Sequence, residues 1–276
     1  MAGCKVSRPH GFVTGLPGLT LKAPWGLSGR MTKAPRKKKE AEDATPTPPR
    51  ESRFRRFRRW VRRCFAALGG FYLLLIVLFS FLPPPINLYQ MGEAWRLGGI
   101  SKDWVGWDDI APVMGRSVVA AEDANFCLHW GFDMAAIREA IEEGSSRGAS
   151  TLSQQVVKNT FLWHGRSWLR KAMEAGLTPV VELLWSKQRI LEVYLNTAEF
   201  DEGVFGVQAA AQHYFGVDAR DLSDLQAARL AAVLPDPKGR DAANPSSFVR
   251  KRTRQIMSGA ETIAADGRAG CFQRRD

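Results

Sequence analysis

Residues 118–133 read VVAAEDANFCLHWGFD, and the interpretation of the whole chain starts from the change of character inside this stretch. An apolar run leads directly into the acidic pair Glu122 and Asp123. A carboxylate that follows an apolar run is expected to be half-buried, and burial raises the pKa of a carboxyl group. Glu122 is therefore a candidate proton acceptor. The alternative, more common among acidic residues on helices, is a solvated charge on an amphipathic helix.

The spacing in this stretch predicts a helix that continues past the acidic pair. Glu122, Phe126 and His129 fall at i, i+4 and i+7, so a helix over residues 108–130 would place them near one face. Gly131 is expected to end this helix. The candidate base and two ring side chains would then share one surface.

The four cysteines, Cys4, Cys64, Cys127 and Cys271, have no metal-ligand spacing. Cys127 and Cys271 could pair in an oxidising compartment. Because Cys127 falls inside the predicted apolar helix, we favour a buried free thiol over a disulfide at this position.

The positive charge of the chain is concentrated at its front. The formal net charge is +11, but residues 1–63 hold 17 basic and 4 acidic residues, whereas residues 64–276 hold 22 and 24. We interpret residues 1–63 as a disordered basic tail and expect no nucleic-acid partner. Within the tail, RFRRFRRWVRR at residues 53–63 suits an anionic lipid surface.

A transmembrane helix is predicted at residues 64–82, which contain no charged residue. The apolar stretch from Phe65 to Leu82 would span roughly 27 Å as a helix, close to the thickness of a bilayer core. A cleaved signal peptide would have a shorter apolar stretch and a shorter segment before it. The arginines before the helix predict a cytoplasmic N-terminus and place residues 83–276 on the outer side.

The part after the apolar stretch reads as a mainly α domain, with no alternation of period two over six or more residues. The last forty residues look less regular, and their end is expected to be mobile. The predicted helices cover residues 108–130, 133–143, 151–162, 167–185, 187–196, 204–214 and 223–234.

The segment GASTLSQQVVKNTFL carries a polar stripe. Ser150 and Thr151 are good N-caps, and Thr151 with Gln154 fits a capping box. Gln155 and Lys158 extend the stripe, so the helix start and the lysine form a candidate anion site. A solvated helix face with a well-made cap is the alternative.

The segment WLRKAMEAGLTPVVELL contains a second acidic residue with basic neighbours. Arg170 and Glu174 are at i and i+4, and Lys171 adjoins; a surface ion pair is the simple interpretation. Pro179 is expected to kink the helix or to end it near Thr178.

These motifs resemble, in order and spacing, those of one family. EDANF, GASTLSQQ with VKN, WLRKAMEAG, and ILEVYLN with GVFGVQAAAQHYFG are similar to the motifs of monofunctional peptidoglycan glycosyltransferases, over roughly residues 90–250. The resemblance implies a lysozyme-like, two-lobed, mainly α domain at residues 83–276, behind the single transmembrane helix. It also implies that lipid II is polymerised into glycan strands, with inversion at the donor sugar and release of undecaprenyl pyrophosphate.

The resemblance also assigns roles to residues. Glu122 would be the general base, and Glu174 a second catalytic acid residue near the pyrophosphate or its divalent cation, Mg2+ or Mn2+. No organic cofactor is expected. The substrate-binding residues would be Lys158, Arg170, Lys171, Ser150, Thr151, Gln154 and Asn159. The residues supporting Glu122 would be Asp123, Phe126 and His129.

The implied partners are lipid II, the nascent glycan strand and membrane lipids, with transpeptidases and division or elongation proteins as further candidates. The implied location is the cell inner membrane, with the catalytic domain in the periplasm. Two alternatives remain at this point: a lysozyme-like lytic muramidase, and a non-catalytic membrane-anchored scaffold of the cell wall. The basic residues Lys158, Arg170 and Lys171 favour a pyrophosphate-bearing donor over a finished glycan.

Overall fold

A computed structural model describes residues 53–142, 150–165 and 167–273, and these are mainly helical, as predicted. Residues 1–52 of the predicted tail lie outside the described residues. The helices are α1 (Arg53–Phe79), α2 (Leu88–Leu97), α3 (Pro112–Glu122), α4 (Met134–Glu142), α5 (Leu152–Phe161), α6 (Trp168–Leu184), α7 (Lys187–Thr197), α8 (Val207–Phe215), α9 (Asp224–Val233) and α10 (Ser247–Ala265).

Short polar side chains begin most of these helices, because an oxygen of the N-cap residue accepts a hydrogen bond from a free backbone N–H of the first turn. The side-chain caps are Asn87, Thr151, Ser167, Ser186, Ser223 and Ser246. The capping box predicted for Thr151 and Gln154 is confirmed. Local sequence therefore sets where these helices start.

Three short strands form one small sheet, which the sequence analysis missed. They are β1 (Ser101–Lys102), β2 (Glu199–Asp201) and β3 (Val204–Phe205), in the order β1-β3-β2. Strand β3 pairs parallel with β1 and antiparallel with β2. Strands of two or three residues are too short to show an alternating pattern.

Helix α1 is the one described helix that is long and apolar enough to cross a membrane, and it is compatible with a single-pass anchor. It begins at Arg53, so residues 53–63 are helical, which corrects their assignment to a disordered tail. Helix α1 ends at Phe79, three residues before the predicted end at Leu82, and residues 80–82 form a turn. Phe65 is 71% exposed, as expected of a side chain that faces lipid.

The last turns of α1 are attached to the body of the protein. The indole Nε1 of Trp185 donates to the carbonyl oxygen of Ile76 at 2.8 Å. The Arg189 guanidinium donates from Nη2 to the carbonyl oxygens of Phe79 at 2.9 Å and Leu82 at 2.6 Å. The Ile76 carbonyl oxygen also accepts from the Ser80 N–H at 3.1 Å, and these bonds connect the end of α1 directly to α7 and to the end of α6.

The buried core forms around two sets of packed helices. Helix α3 packs against α9 and α10, and α5 packs against α6 and α7. The largest fully buried side chains include Phe126, Phe200, Phe205, Met114, Leu152, Ile190, Leu191 and Leu230. The C-terminal end of α3 and the N-terminal end of α5 meet between these sets.

The predicted helix over residues 108–130 is wrong beyond Glu122. Helix α3 ends there, Asp123 is the C-cap with φ −161 and ψ 70, and turns follow as far as Gly131. Asp side chains compete with helical hydrogen bonding, and the Asp123 carboxylate takes its partners from outside α3. Glu122, Phe126 and His129 therefore do not share a helical face.

The disulfide that we disfavoured is present. Cys127 lies in the turn after α3 and not in a helix, and it is bonded to Cys271, with the two Cα atoms 5.6 Å apart. The expectation of an irregular C-terminal part was also wrong, because α10 and the turns after it pack on the body through residues such as Phe272. The physical reason for the disulfide is the early end of α3, since it places Cys127 in a turn where it can reach Cys271.

Helix α6 does not end near Thr178 but continues through Pro179 to Leu184. The Thr178 hydroxyl donates to the carbonyl oxygen of Glu174 at 2.7 Å. Tertiary packing on α5 thus outweighs the cost of the interior proline.

Candidate active site

Glu122 is the last residue of α3 and lies at the junction with α5. Its Oε2 accepts a hydrogen bond from Gln155 Nε2 at 3.0 Å. Burial raises the pKa of the Glu122 carboxyl, although the Gln155 bond and the positive charges of Arg252 and Lys158 oppose the increase. A carboxyl group of raised pKa with one amide partner is suited to accept a proton. The alternative of a solvated surface charge does not fit this burial.

The neighbouring acid, Asp123, braces the end of α3 against α5. Its Oδ2 accepts from the backbone N–H of Leu152 at 2.9 Å, and its Oδ1 lies 2.9 Å from His129 Nε2. Phe126 is fully buried and its ring meets the His129 ring edge-on at 6.3 Å. The structure therefore brings Asp123, Phe126 and His129 together behind Glu122, through turn contacts and not through a helical face.

Thr151 and Gln154 are used within the fold. The Thr151 hydroxyl donates to the carbonyl oxygen of Gly131 at 2.6 Å, and Gln154 Oε1 accepts from the Thr151 N–H at 3.1 Å. Both side chains are buried. They shape the start of α5, so their predicted contact with substrate stays a prediction.

Glu174 is the centre of a buried ion cluster. Its carboxylate accepts from Arg170 Nη1 at 2.7 Å and from Lys171 Nζ, and only 2% of the residue is exposed. Lys171 Nζ also donates to Ser150 Oγ at 3.1 Å. A surface ion pair, the simple interpretation of the spacing, is thus excluded by burial. The cluster joins α6 to Ser150, two residues before the start of α5.

Lys158 connects the two acidic residues. Burial lowers the pKa of its ammonium group, and the charges that act on it include Glu174, Arg170 and Glu122. Unlike Arg170, it takes part in none of the ion pairs formed among the described residues. Lys158 is therefore a half-buried cation that interacts electrostatically with both carboxylates, and its ammonium group is a candidate partner for an incoming anion.

A cleft of about 190 Å³ opens beside Lys158 and Asn159. Its remaining lining is mixed polar and aromatic, and includes Asn87, Tyr89, Gln155, His164, Tyr194, Thr197, Glu199 and Phe205. A concave site with a few convergent polar groups is the usual form of a binding site. Gln155, which lines the cleft and donates to Glu122, connects the cleft to the candidate base.

Sequence reasoning missed one wall of this cleft. The ring of His164 stacks on that of Tyr89, with centroids 4.0 Å apart. Burial, with the charges of Lys158 and Arg170, lowers the pKa of His164 to about 4, so its ring is neutral near pH 7. Tyr89 donates to Glu199 Oε2 at 2.6 Å. No local pattern predicts this wall, because its residues come from α2, from the loop after α5 and from β2.

Tyr194 and two arginines were missed as well. The Tyr194 hydroxyl donates to Gln155 Oε1 at 3.4 Å, although the residue was predicted only as core. Arg252 and Arg240 act on Glu122 from the C-terminal part of the chain, and Arg252 Nη2 donates to the carbonyl oxygen of Ala121 at 2.9 Å. The basic run near residue 250 was the available signal.

The residues present do not fit a divalent cation held by protein groups. Both oxygens of Glu174, the candidate ligand, already accept from Arg170 and Lys171. Within residues 53–142, 150–165 and 167–273, no three acidic, histidine or cysteine residues form a group that could hold a metal ion.

The family model described as Transglycosylase matches residues 92–261. A biosynthetic peptidoglycan transglycosylase from Jannaschia sp. (strain CCS1) is 61% identical over 77% of this chain and 89% of its own length. Proteins of the same name from Pseudomonas fluorescens (strain SBW25) and Cronobacter sakazakii (strain ATCC BAA-894) are 50% and 48% identical, over 70% and 74% of this chain and 85% and 90% of their own lengths. The chain therefore belongs to the transglycosylase family.

Proposed function

We propose that this protein is a peptidoglycan glycosyltransferase that polymerises lipid II into glycan strands. The observation that carries the proposal is a half-buried carboxyl of raised pKa, Glu122, that interacts with the cation Lys158, which in turn interacts with Glu174 and its bonded partners Arg170 and Lys171. The name shared by the relatives, biosynthetic peptidoglycan transglycosylase, agrees with this chemistry.

In the proposed step, Glu122 takes the proton from the 4-hydroxyl group of the acceptor sugar. The oxygen attacks the anomeric carbon of the lipid-linked donor, a new β-glycosidic bond forms, and the α bond to the pyrophosphate oxygen breaks. The bonding electron pair leaves with undecaprenyl pyrophosphate. A phosphate is a stable leaving group, so fixed positive charge can replace a strong general acid. Lys158 supplies that charge, with Arg170 and Lys171.

A base on one side and cations on the other suit an inverting displacement in a two-lobed, lysozyme-like domain. A lytic muramidase would also use a glutamate, but its glycan substrate carries no pyrophosphate for three cations to neutralise. A non-catalytic scaffold would have no use for a carboxyl of raised pKa. Because both oxygens of Glu174 are already paired, a divalent cation, Mg2+ or Mn2+, is proposed only as a partner of the pyrophosphate and not as an ion held by protein groups, and a chelation experiment tests it.

Two substrates distinguish synthesis from lysis. We expect the full-length protein in detergent or vesicles to convert lipid II into glycan polymer and to release no fragments from finished peptidoglycan. Chain growth is followed by gel separation of labelled strands, and release by chromatography of soluble muropeptides. Release from finished peptidoglycan without polymer from lipid II would refute the proposal and support the muramidase.

We further propose an inner-membrane protein with a cytoplasmic N-terminus and a periplasmic body. Support comes from the apolar helix α1, the arginines at its start and the Cys127–Cys271 disulfide, since disulfides form in oxidising compartments. Membrane lipids would contact the exposed rings of Phe54, Phe57 and Trp60. Transpeptidases and division or elongation proteins are proposed as further partners.

The topology predicts opposite behaviour of two fusions. A phosphatase that is active only in the periplasm should report when it follows the last residue and should be silent when it is inserted near residue 45. A cytoplasm-specific fluorescent reporter should show the reverse pattern, which controls for expression. Equal signals from both positions would contradict the single-pass anchor.

A further inference from the structure

Residues 266–273, which we call the C-terminal segment, contact the turn that follows the proposed base at three points. Arg268 Nη1 donates to the carbonyl oxygen of Ala124 at 3.1 Å. Cys271 is bonded to Cys127. The Phe272 ring lies 6.4 Å, centroid to centroid, from that of Phe126. All three contacts fall within five residues of Glu122, the end of α3.

The C-terminal segment also forms hydrogen bonds with the first turns of α3. Gln273 Nε2 donates to the carbonyl oxygen of Pro112, the first residue of α3, at 2.5 Å, and Gln273 Oε1 accepts from Arg116 Nη1 at 3.0 Å. Phe272 is 2% exposed, with its ring 6.2 Å from that of Trp107. The C-terminal segment thus spans α3 from its first residue to the turn beyond its last.

The turn needs such support because it has no helical hydrogen bonds of its own. Two backbone hydrogen bonds, from the Phe126 N–H to the carbonyl oxygen of Asp123 at 3.0 Å and from the Leu128 N–H to that of Asn125 at 2.7 Å, hold the turn together with the side-chain contacts of Asp123 and Asn125. A covalent link between residues 144 positions apart in the sequence removes much of the remaining freedom. The buried contacts of Phe126 and Phe272 do not depend on that link, so the fold survives its loss.

We propose that the C-terminal segment is a redox-dependent clamp, in which Cys127, Cys271, Arg268 and Phe272 position Glu122 for proton transfer. The inference rests on the proposed function. The clamp closes when the two thiols pass two electrons and two protons to a disulfide-bearing oxidant, which leaves as a dithiol. Reduced protein keeps its fold but holds the base in a looser and more hydrated position.

The test compares oxidised wild-type protein, the Cys127→Ser/Cys271→Ser double variant and the control Cys64→Ser, all full length. Cys64 is a free, exposed cysteine on α1. We expect the double variant to lose kcat by about one to two orders of magnitude with little change in KM, because small misplacements of a catalytic group cost about that much. A dithiol reductant should have the same effect on wild type and on Cys64→Ser, and none on the double variant.

Two readouts separate positioning from general stability. The acid limb of the pH–rate profile should move to lower pH, because hydration lowers the pKa that burial raises. Hydrogen exchange should speed up in the turn after Glu122 on reduction, while the α5 to α7 core stays protected. Unchanged kcat and turn exchange would overturn the clamp, as would a kcat loss matched by the unfolded fraction in circular dichroism.

These readouts also keep the two proposals apart. If oxidised wild-type protein makes no polymer from lipid II, the proposed function fails. The exchange measurement still decides the clamp in that case, since it needs no substrate. Faster exchange in the turn supports the clamp, and equal exchange in both redox states refutes it.

Discussion

Glu122→Gln is expected to lower kcat for lipid II polymerisation by about 10²–10⁴-fold, the range attributed to a positioned general base. The amide keeps the size of the side chain and can still bond to Gln155, but it cannot take a proton. Because the variant also removes a desolvated carboxyl, the fold should be retained by circular dichroism and thermal unfolding. Polymer formation from labelled lipid II under single-turnover conditions measures the effect.

The role of Glu122 as base also predicts how the rate of the wild-type protein depends on pH. A general base must be ionised, so the rate should fall as the pH drops through the pKa of Glu122. Burial raises that pKa above its ordinary value of 4.5, so the acid limb should lie above pH 4.5. If the residual activity of Glu122→Gln shows no acid limb, the limb of the wild type belongs to Glu122 and confirms it as the base.

Glu261→Gln is the matched control, since Glu261 is an exposed residue on α10. It should retain wild-type kcat and the wild-type acid limb. A Glu122→Gln variant that polymerises as fast as this control would exclude Glu122 as the base and would favour a scaffold role.

Lys158→Met is expected to lower kcat by about 10²–10³-fold, comparable to the loss of one preorganised group that stabilises transition-state charge. The methionine preserves most of the apolar stem and removes the cation that interacts electrostatically with Glu122 and Glu174. Negative charge on the pyrophosphate increases as the glycosidic bond breaks, so kcat should suffer more than KM.

The thermal stability of Lys158→Met should be equal to or higher than that of the wild type. Burial lowers the pKa of Lys158, so its charged form is disfavoured in the fold, and an apolar replacement should not lower the melting temperature. Lys251→Met serves as control, because Lys251 is exposed on α10. Equal kcat in the two variants would remove Lys158 from the proposed mechanism, whereas a large loss of stability would assign it a structural role.

Sequence reasoning located the helices from α4 to α9 well. Their N-caps and apolar periodicity are local signals, and the helix at residues 187–196 was found at Lys187–Thr197. It failed at the end of α3 because the Asp123 carboxylate bonds to Leu152, 29 positions away. It left two outcomes open at Pro179, a kink or an end near Thr178, and the helix does not end there because packing against α5 offsets the local penalty.

Some residues of the candidate site were predicted before the structure was known, and others were not. Glu122 and Lys158 were candidates from residue type and spacing, Arg170 and Glu174 only from the family resemblance, and the structure brings their charges together. Ser150 meets Lys171 by hydrogen bonding, but Thr151 and Gln154 are used inside the fold. The wall formed by Tyr89 and His164 could not be found, because its residues are 75 positions apart.

By itself the sequence determined the helical class, the apolar anchor and the residue types that carry the proposed chemistry, because capping, periodicity and motif spacing act over a few residues. Only the tertiary structure decided that α3 stops at Glu122, that Cys127 meets Cys271, and that Lys158 interacts with two acidic residues. These outcomes depend on free energies of contact between distant segments, and burial there sets the pKa values on which the proposed reaction depends.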